Sequence, residues 1–129
     1  MTVPDGTHDA TCHKRAEDHA RTVGRQREAD AMVSREALVL GVLSADCVSI
    51  LLADGKGRVA AVHAGWRGTV QDVAGAAVQG LIALGARREE LRAVLGPSIG
   101  PCCFEVQADV AAAFTKVCAD SVQPREIGR

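Results

Sequence analysis

Aromatic residues are almost missing from this chain of 129 residues, which has no tyrosine, one tryptophan and two phenylalanines. Its core must therefore be built from Val, Leu, Ile and Ala, the aliphatic residues most often buried. An excess of either charge is also lacking, because the formal net charge is only -1. A balanced chain gives no support for nucleic-acid binding or attraction to a membrane surface, and we expect neither partner.

Long apolar runs are absent as well. The first twenty residues are polar and charged, with no apolar signal-peptide core, and no stretch of the sequence is long enough to cross a bilayer. We therefore expect a cytoplasmic protein. Its five cysteines are an odd number without disulfide-framework spacing, which predicts reduced thiols. The length suits a single domain over residues 1–129, in which residues 1–27 form a polar segment typical of a mobile terminus.

Short apolar runs predict a sheet. The runs Ala31–Ser34 and 37–43 are read as strands, and 91–95 as another buried strand. Residues 47–53 and 58–64 flank an Asp-Gly-Lys-Gly turn signal, which predicts a hairpin.

Helical periodicity follows the hairpin. Residues 68–85 repeat apolar side chains at helical spacing and reach Gly85, where a left-handed stop belongs. Residues 106–117 predict a second amphipathic helix. Strands followed by helices, without strict alternation, indicate an α+β fold: a mixed β-sheet layered with helices.

Cys47 and His63 stand at the edges of the two hairpin runs. A three-residue loop of residues 54–56 would place them directly opposite each other, roughly 5 Å apart at Cβ. A shift of that loop by one residue would leave them diagonal on the same face, whereas an even-numbered loop would separate them. Close together, a thiolate and an imidazole can share one metal or one proton.

A glycine-rich turn that bears the single tryptophan follows His63. Its glycines, one of them Gly68, allow close backbone approach, while Trp66 and Arg67 supply a stacking face and an anion-binding fork. Simpler interpretations remain open: a small buried thiol at Cys47, a core histidine, a core tryptophan and a surface ion pair of Arg67.

Three ordered motifs carry a family resemblance: Ser-Ala-Asp-Cys at 44–47, His-Ala-Gly-Trp-Arg-Gly at 63–68 and Leu-Gly-Pro-Ser-Ile-Gly-Pro-Cys-Cys-Phe-Glu-Val at 95–106. From about Glu28 to about Phe114 the chain resembles the bacterial laccase-domain family, known both as multicopper polyphenol oxidases and as purine nucleoside phosphorylases. The resemblance implies the YfiH-like, cysteine-hydrolase-like fold. The chain is short for that family, so a fragment, a truncated product or a divergent short member with an incomplete sheet is expected.

The resemblance also implies a zinc site made of Cys47, His63 and an upstream histidine. The family's Gln-x-His-Gly motif is missing from this sequence, and His13 lies nearest the expected position, with His8, His19 and Cys12 as weaker substitutes. Three protein ligands leave a fourth position for water.

The implied activity is phosphorolysis of adenosine and inosine to free base and ribose 1-phosphate, with adenosine deamination and methylthioadenosine phosphorolysis as further activities. Cys47, His63 and Arg67 would be catalytic. Arg67 would clamp phosphate, with Trp66 and Gly68 beside it. Asp46 is either a carboxylate that orients a metal ligand or a strand-end cap.

Three alternatives stay open. The first is copper-dependent polyphenol oxidation, although such oxidases need many histidines and this chain has four. The second is a metal-free hydrolase with Cys47 as nucleophile and His63 as base. The third is an inactive fragment. The adjacent Cys102 and Cys103 are interpreted as a rigid turn that packs two small residues, with soft-metal binding as the alternative.

Overall fold

The computed structural model describes residues 2–3 and 29–122. The chain divides into two compact units, Met1–Ile99 and Gly100–Arg129, and the expectation of a single domain stays a prediction. Within the expected N-terminal segment, Thr2–Val3 forms a strand; the rest of that segment lies outside the described residues.

The first unit contains an antiparallel sheet. Its strands in the described residues are β1 (Thr2–Val3), β2 (Ala31–Ser34), β3 (Val48–Ala53), β4 (Val59–Ala64) and β5 (Arg92–Leu95). Their spatial order is β1-β2-β4-β3-β5, and each described neighbouring pair is antiparallel. The α+β class is confirmed, but this part of the sheet does not have the mixed strand directions that we expected.

The predicted strand β2 and the β3–β4 hairpin are confirmed, and two other strand predictions need correction. Residues 37–43 form an irregular segment in which Val39 and Leu43 are fully exposed. Because β2 already has β1 and β4 on its two edges, this run has no ladder to join there. β5 forms, but it is exposed rather than buried and lies at the edge of the described strands. The helix Val73–Ala83 packs mainly against β2 and β4, which leaves β5 uncovered.

The predicted single helix over 68–85 is wrong, since two helices occupy this region: α1 (Trp66–Val70) and α2 (Val73–Ala83). The break lies at Asp72, whose φ of 59° is left-handed. Its carboxylate accepts a hydrogen bond from the Gly75 amide at 3.1 Å and so caps α2. A Cβ on Gly75 would lie 2.1 Å from an Asp72 carboxylate oxygen, so a side chain there would force the carboxylate to shift.

The helical stop at Gly85 is confirmed. Gly85 has a φ of 93°, and its amide donates to the Ile82 carbonyl at 2.8 Å. The Ala86 amide donates to the Leu81 carbonyl at 3.0 Å, which completes a Schellman motif.

The core lies between α2 and one face of the sheet. Its buried side chains are aliphatic, as the shortage of aromatics predicted: Ala31, Val33, Leu52, Ala60, Val62, Val73, Ala77, Leu81 and Ala86. The opposite face of β3 and β4 carries Ser49, Leu51, Ala61 and His63 and is therefore free to build a site.

The turn at the far end of the hairpin is held by a buried carboxylate. Asp54 Oδ1 accepts from the Lys56 amide at 2.7 Å and the Arg58 amide at 3.1 Å, while Oδ2 accepts from the Arg58 guanidinium at 2.6 Å. Arg58 Nε donates to the Leu84 carbonyl at 2.8 Å, which ties this turn to the end of α2. These bonds hold the pKa of Asp54 at about 2, with the Arg58 side chain as the largest cause.

The second unit contains a turn at residues 101–103, the helix α3 (Ala108–Val117) and the short 3-10 helix Ala119–Ser121. The predicted second helix is thus confirmed, with its start two residues later than expected. Among the described helices, none is both long and apolar enough to cross a membrane.

Candidate active site

The hairpin register decides how Cys47 and His63 meet. Ser49, rather than Cys47, lies opposite His63, so the direct pairing that the loop 54–56 would give does not occur, and the register differs from it by two residues. The Asp54 amide donates to the Arg58 carbonyl at 3.2 Å, and the three-residue loop is therefore 55–57 instead of 54–56. The loop length is still odd. Cys47 is consequently a diagonal neighbour of His63 on the same face, the second arrangement that the turn allowed.

The segment that bears Cys47 is anchored by its neighbours. The Ser44 hydroxyl donates to the Cys47 carbonyl. The Ile99 amide donates to the Asp46 carbonyl at 2.9 Å, and the Gly96 amide donates to the Ser49 carbonyl at 2.8 Å. The Ser-Ala-Asp-Cys motif is thus a strand entry whose backbone is held on both sides of the thiol.

Gly65 provides the gap into which the two side chains project. A Cβ built on Gly65 would lie 3.5 Å from Cys47 Sγ, 3.6 Å from His63 Nε2 and 3.2 Å from His63 Cε1. The thiol and the imidazole nitrogen therefore approach one common point, and a side chain at residue 65 would crowd the imidazole and touch the thiol. Both residues are partly exposed, so a ligand can reach them.

Asp30 orients His63, a contact that sequence reasoning missed. Because Ala31 lies opposite Val62, Asp30 is adjacent to His63, whose amide donates to the Asp30 carbonyl at 2.7 Å. The side chains also meet, with Nδ1 2.8 Å from Oδ1. When Nδ1–H donates to the Asp30 carboxylate, a neutral His63 keeps a free lone pair on Nε2, which lies 3.6 Å from the position of a Cβ on Gly65.

A signal for Asp30 did exist, since a carboxylate immediately precedes the first predicted strand after the polar segment. Sequence reasoning instead considered Asp46, because it adjoins Cys47. Asp46 is exposed, and the bond described for it is made by its backbone carbonyl. Its carboxylate therefore has no described contact with His63.

Trp66 and Arg67 open α1 directly after Gly65. The Arg67 guanidinium lies over the Trp66 ring at 4.3 Å from its centroid, a cation–π contact. Arg67 is exposed, whereas Trp66 is half-buried. The indole therefore holds the guanidinium at the start of the helix, and its contacted face is occupied by Arg67.

Gly68 is buried, which gives it a packing role. A Cβ there would lie 3.2 Å from Val73 Cγ1 and 3.5 Å from Asp30 Oδ2. The absence of a side chain lets α1 approach both the next helix and the carboxylate that orients His63. A buried backbone position offers a ligand little surface.

The chemistry of the donors suits a transition metal. Thiolate and imidazole are preferred ligands of zinc and copper, and a carboxylate on the second histidine nitrogen is the usual support. Within residues 2–3 and 29–122, no group of three or more His, Cys, Asp or Glu side chains is arranged to hold a metal. Cys47 and His63 thus fit part of a metal centre. His13, like His8, His19 and Cys12, lies outside the described residues.

Over residues 1–127 the chain matches the family described as multi-copper polyphenol oxidoreductase laccase. The chain belongs to this laccase-domain family, as its three motifs indicated. The fold agrees with that assignment. A YfiH protein of Bacillus licheniformis matches with a TM-score of 0.70 and 29% identity, over 93% of this chain and 48% of that one. A Neisseria meningitidis protein matches with a TM-score of 0.62 and 38% identity, over 75% of this chain and 40% of that one.

Curated relatives have enzyme names. A protein from an unknown prokaryotic organism, named adenosine deaminase RL5, is 47% identical over 89 residues, which are 67% of this chain and 34% of that protein. A purine nucleoside phosphorylase of Deinococcus radiodurans is 43% identical over 67% of this chain and 35% of its own length. A purine nucleoside phosphorylase of Bacteroides thetaiotaomicron is 33% identical over 100% of this chain and 52% of its own length. The chain thus spans from about a third to about half of these relatives.

Proposed function

We propose that this chain carries the reaction centre of a purine nucleoside phosphorylase that cleaves inosine and adenosine to the free base and ribose 1-phosphate. The observation that supports this most is the convergence of Cys47 Sγ and His63 Nε2 beside Gly65, with Asp30 behind the imidazole. Relatives named purine nucleoside phosphorylase and adenosine deaminase support a nucleoside as the substrate.

Cys47 and His63 would hold a zinc ion, for which a thiolate and an Asp-supported imidazole are suitable donors. Bound there, zinc would act as a Lewis acid beside the substrate. A further protein ligand would come from outside the described residues, and His13 is our candidate for it.

Other residues of the chain would orient the imidazole and bind the phosphate. Asp30 keeps the Nδ1 proton of His63 in place, so that the ring presents one defined tautomer to the site. Arg67, exposed and stacked on Trp66, would bind phosphate through its two-pronged guanidinium. In the reaction a phosphate oxygen attacks the ribose C1′, and the bond from C1′ to the purine nitrogen breaks. The electron pair of that bond leaves with the base, which takes up a proton.

The relative named adenosine deaminase RL5 favours deamination as a second candidate reaction. In that reaction water would replace the amino group of adenosine, and phosphate would not be needed. Polyphenol oxidation, which the family's description suggests, has weaker support. His63 is the one histidine within residues 2–3 and 29–122, whereas multicopper sites use several.

The test is product analysis with the purified chain. Inosine or adenosine is incubated with and without phosphate, and base, ribose 1-phosphate and deaminated nucleoside are quantified alongside the zinc content. We expect base and ribose 1-phosphate only when phosphate is present. Cys47→Ser should lose both zinc and activity because a hydroxyl is a poor zinc ligand, whereas Cys118→Ser, at an exposed cysteine of the second unit, should keep them.

Two outcomes would overturn the assignment. Conversion of adenosine to inosine without phosphate would make the chain a deaminase, and polyphenol oxidation without nucleoside turnover would make it an oxidase. A folded, zinc-loaded chain that is inert toward all three substrates would support the fragment interpretation instead.

A further inference from the structure

The second unit contains a pair of thiols that the proposed reaction does not use. Cys102 and Cys103 are both exposed, and their sulfur atoms lie 3.2 Å apart, where one thiol donates a hydrogen bond to the other. The sequence predicted a turn that packs two small residues. The turn is confirmed, but the packing is wrong, because neither cysteine is buried.

Backbone hydrogen bonds organise this turn. The amides of Cys103 and Phe104 both donate to the Gly100 carbonyl, at 3.0 and 3.1 Å. Gly100 also makes room for the first thiol, since a Cβ there would lie 3.6 Å from Cys102 Sγ. The two side chains therefore start from a closed turn that aligns their sulfurs on one side.

The separation of the sulfurs indicates which kind of centre both could bind without moving. With bonds of about 2.3 Å to each sulfur, a spacing of 3.2 Å corresponds to an angle of about 90° at the bound atom. Zinc prefers the wider tetrahedral angle, and two-coordinate soft metals prefer a linear one. Trivalent arsenic forms a pyramid with three bonds near right angles, which matches this spacing.

The number of donor atoms further limits which arsenic compounds could bind. No third Cys, His, Asp or Glu completes a metal group with this pair within the part of the chain that the structure describes. An arsenic atom that already carries one organic group needs two sulfurs to complete its three bonds, whereas inorganic arsenite would need a third ligand.

We propose that Cys102 and Cys103 form a dithiol site for trivalent arsenicals that carry a single organic group. With phenylarsine oxide, two S–H bonds and the arsenic–oxygen bond break, and two arsenic–sulfur bonds form. Both thiol protons leave with the oxygen as one water molecule. Arsenic stays trivalent, so the step needs no oxidant or reductant.

Competing disulfide formation between the same residues is disfavoured by the backbone. Consecutive Cα atoms are about 3.8 Å apart across a trans peptide, less than the about 4.4 Å that ordinary disulfides require. The structure has no cis peptide bond among its described residues. The hydrogen bond with Cys102 raises the pKa of the Cys103 thiol, and desolvation adds to this, which keeps a proton on the pair.

Phenylarsine oxide binding to the reduced, full chain tests the site. Intact-mass titration should show one adduct in which the phenylarsenic group replaces two protons. Cys102→Ser and Cys103→Ser should each weaken apparent binding by about a hundredfold or more, because the second bond of a chelate forms at high effective concentration. Cys118→Ser is the matched control and should bind like the unaltered chain.

Peptide mapping supplies an independent readout. Trypsin releases residues 93–116, which contain Cys102 and Cys103 and no other cysteine. We expect the adduct on this peptide and its removal by a small 1,2-dithiol but not by a monothiol. Undiminished binding in either serine variant, or an adduct on the peptides that carry Cys47 or Cys118, would refute the site.

Discussion

His63 is joined to Asp30 twice, through its backbone amide, which donates to the Asp30 carbonyl at 2.7 Å, and through Nδ1, which lies 2.8 Å from Oδ1. The two residues are 33 positions apart in sequence and meet because β2 pairs with β4. This double attachment fixes both the position and the tautomer of the imidazole. It also makes Asp30 the residue whose removal best probes the site without touching a donor atom.

Asp30→Asn should lower zinc affinity and kcat/KM by about tenfold to a hundredfold, because the second-nitrogen partner of a ligating histidine has effects of that size. Competition with a chromophoric chelator measures the affinity. Asp46→Asn changes the other nearby carboxylate and should have a much smaller effect. Equal losses in the two variants would show that charge near the site, rather than the Asp30–His63 bond, is responsible.

Gly65→Ala tests the gap between the two donors. The new methyl would lie 3.2 Å from His63 Cε1 and 3.5 Å from Cys47 Sγ, so the ring must move. A shift of a few tenths of an ångström would suffice, and since about 1 Å at a reacting group can cost about a hundredfold, we expect kcat/KM to fall by about threefold to tenfold. Gly41→Ala is the control, since nothing lies within 4 Å of its added Cβ. Retention of activity and zinc in Gly65→Ala would mean that the two side chains act at another point.

Arg67 and Trp66 should affect the phosphate dependence of the rate. Arg67→Lys should raise the KM for phosphate by about tenfold while zinc content is unchanged, since the two-pronged contact is lost. Trp66→Leu should raise it by a factor of about two to five, which corresponds to the roughly 0.5–1 kcal/mol of an exposed cation–π contact. Arg88→Lys, at another exposed arginine, should behave like the unaltered chain. An unchanged KM in Arg67→Lys would move phosphate binding elsewhere.

Asp54 should stabilise the fold in a pH-dependent way. Its folded-state pKa is about 2 against an ordinary 3.8, so its contribution is complete above about pH 4 and is lost as the pH falls through 2. Thermal unfolding should therefore give a lower Tm for Asp54→Asn than for the unaltered chain at pH 7, and this difference should shrink between pH 4 and pH 2. Asp120→Asn, at an exposed carboxylate, should show no Tm difference that changes between pH 4 and pH 2. A Tm difference that is independent of pH would mean that the Asp54 charge is not involved.

The same carboxylate explains which of the two odd-numbered loops forms, 55–57 rather than 54–56. The Asp-Gly-Lys-Gly signal predicts a turn but allows more than one set of loop residues. Asp54 accepts two amides across the turn and pairs with Arg58, which selects the loop 55–57. A side chain at the opposite end of the strands from Cys47 therefore decides how the thiol faces His63.

Local signals account for the predictions that the structure confirmed. A left-handed stop at Gly85 and the strands β2, β3 and β4 follow from residue types within a few positions of each element. The break at Asp72 escaped prediction because an aspartate gave no strong signal within an uninterrupted apolar repeat. Its carboxylate offers the Gly75 amide a bond that competes with continuing the helix.

The sequence by itself determined the family, the hairpin, the aliphatic core and the identity of the two converging residues, because motif order and hydrophobic period are local properties of the chain. Only the tertiary structure decided that β5 is an exposed edge, that Gly65 opens the gap and that Asp30 supports His63. Each of these depends on which strands become neighbours. The order of the strands depends on how the whole sheet packs against α2, so it cannot be predicted from any one segment of the sequence.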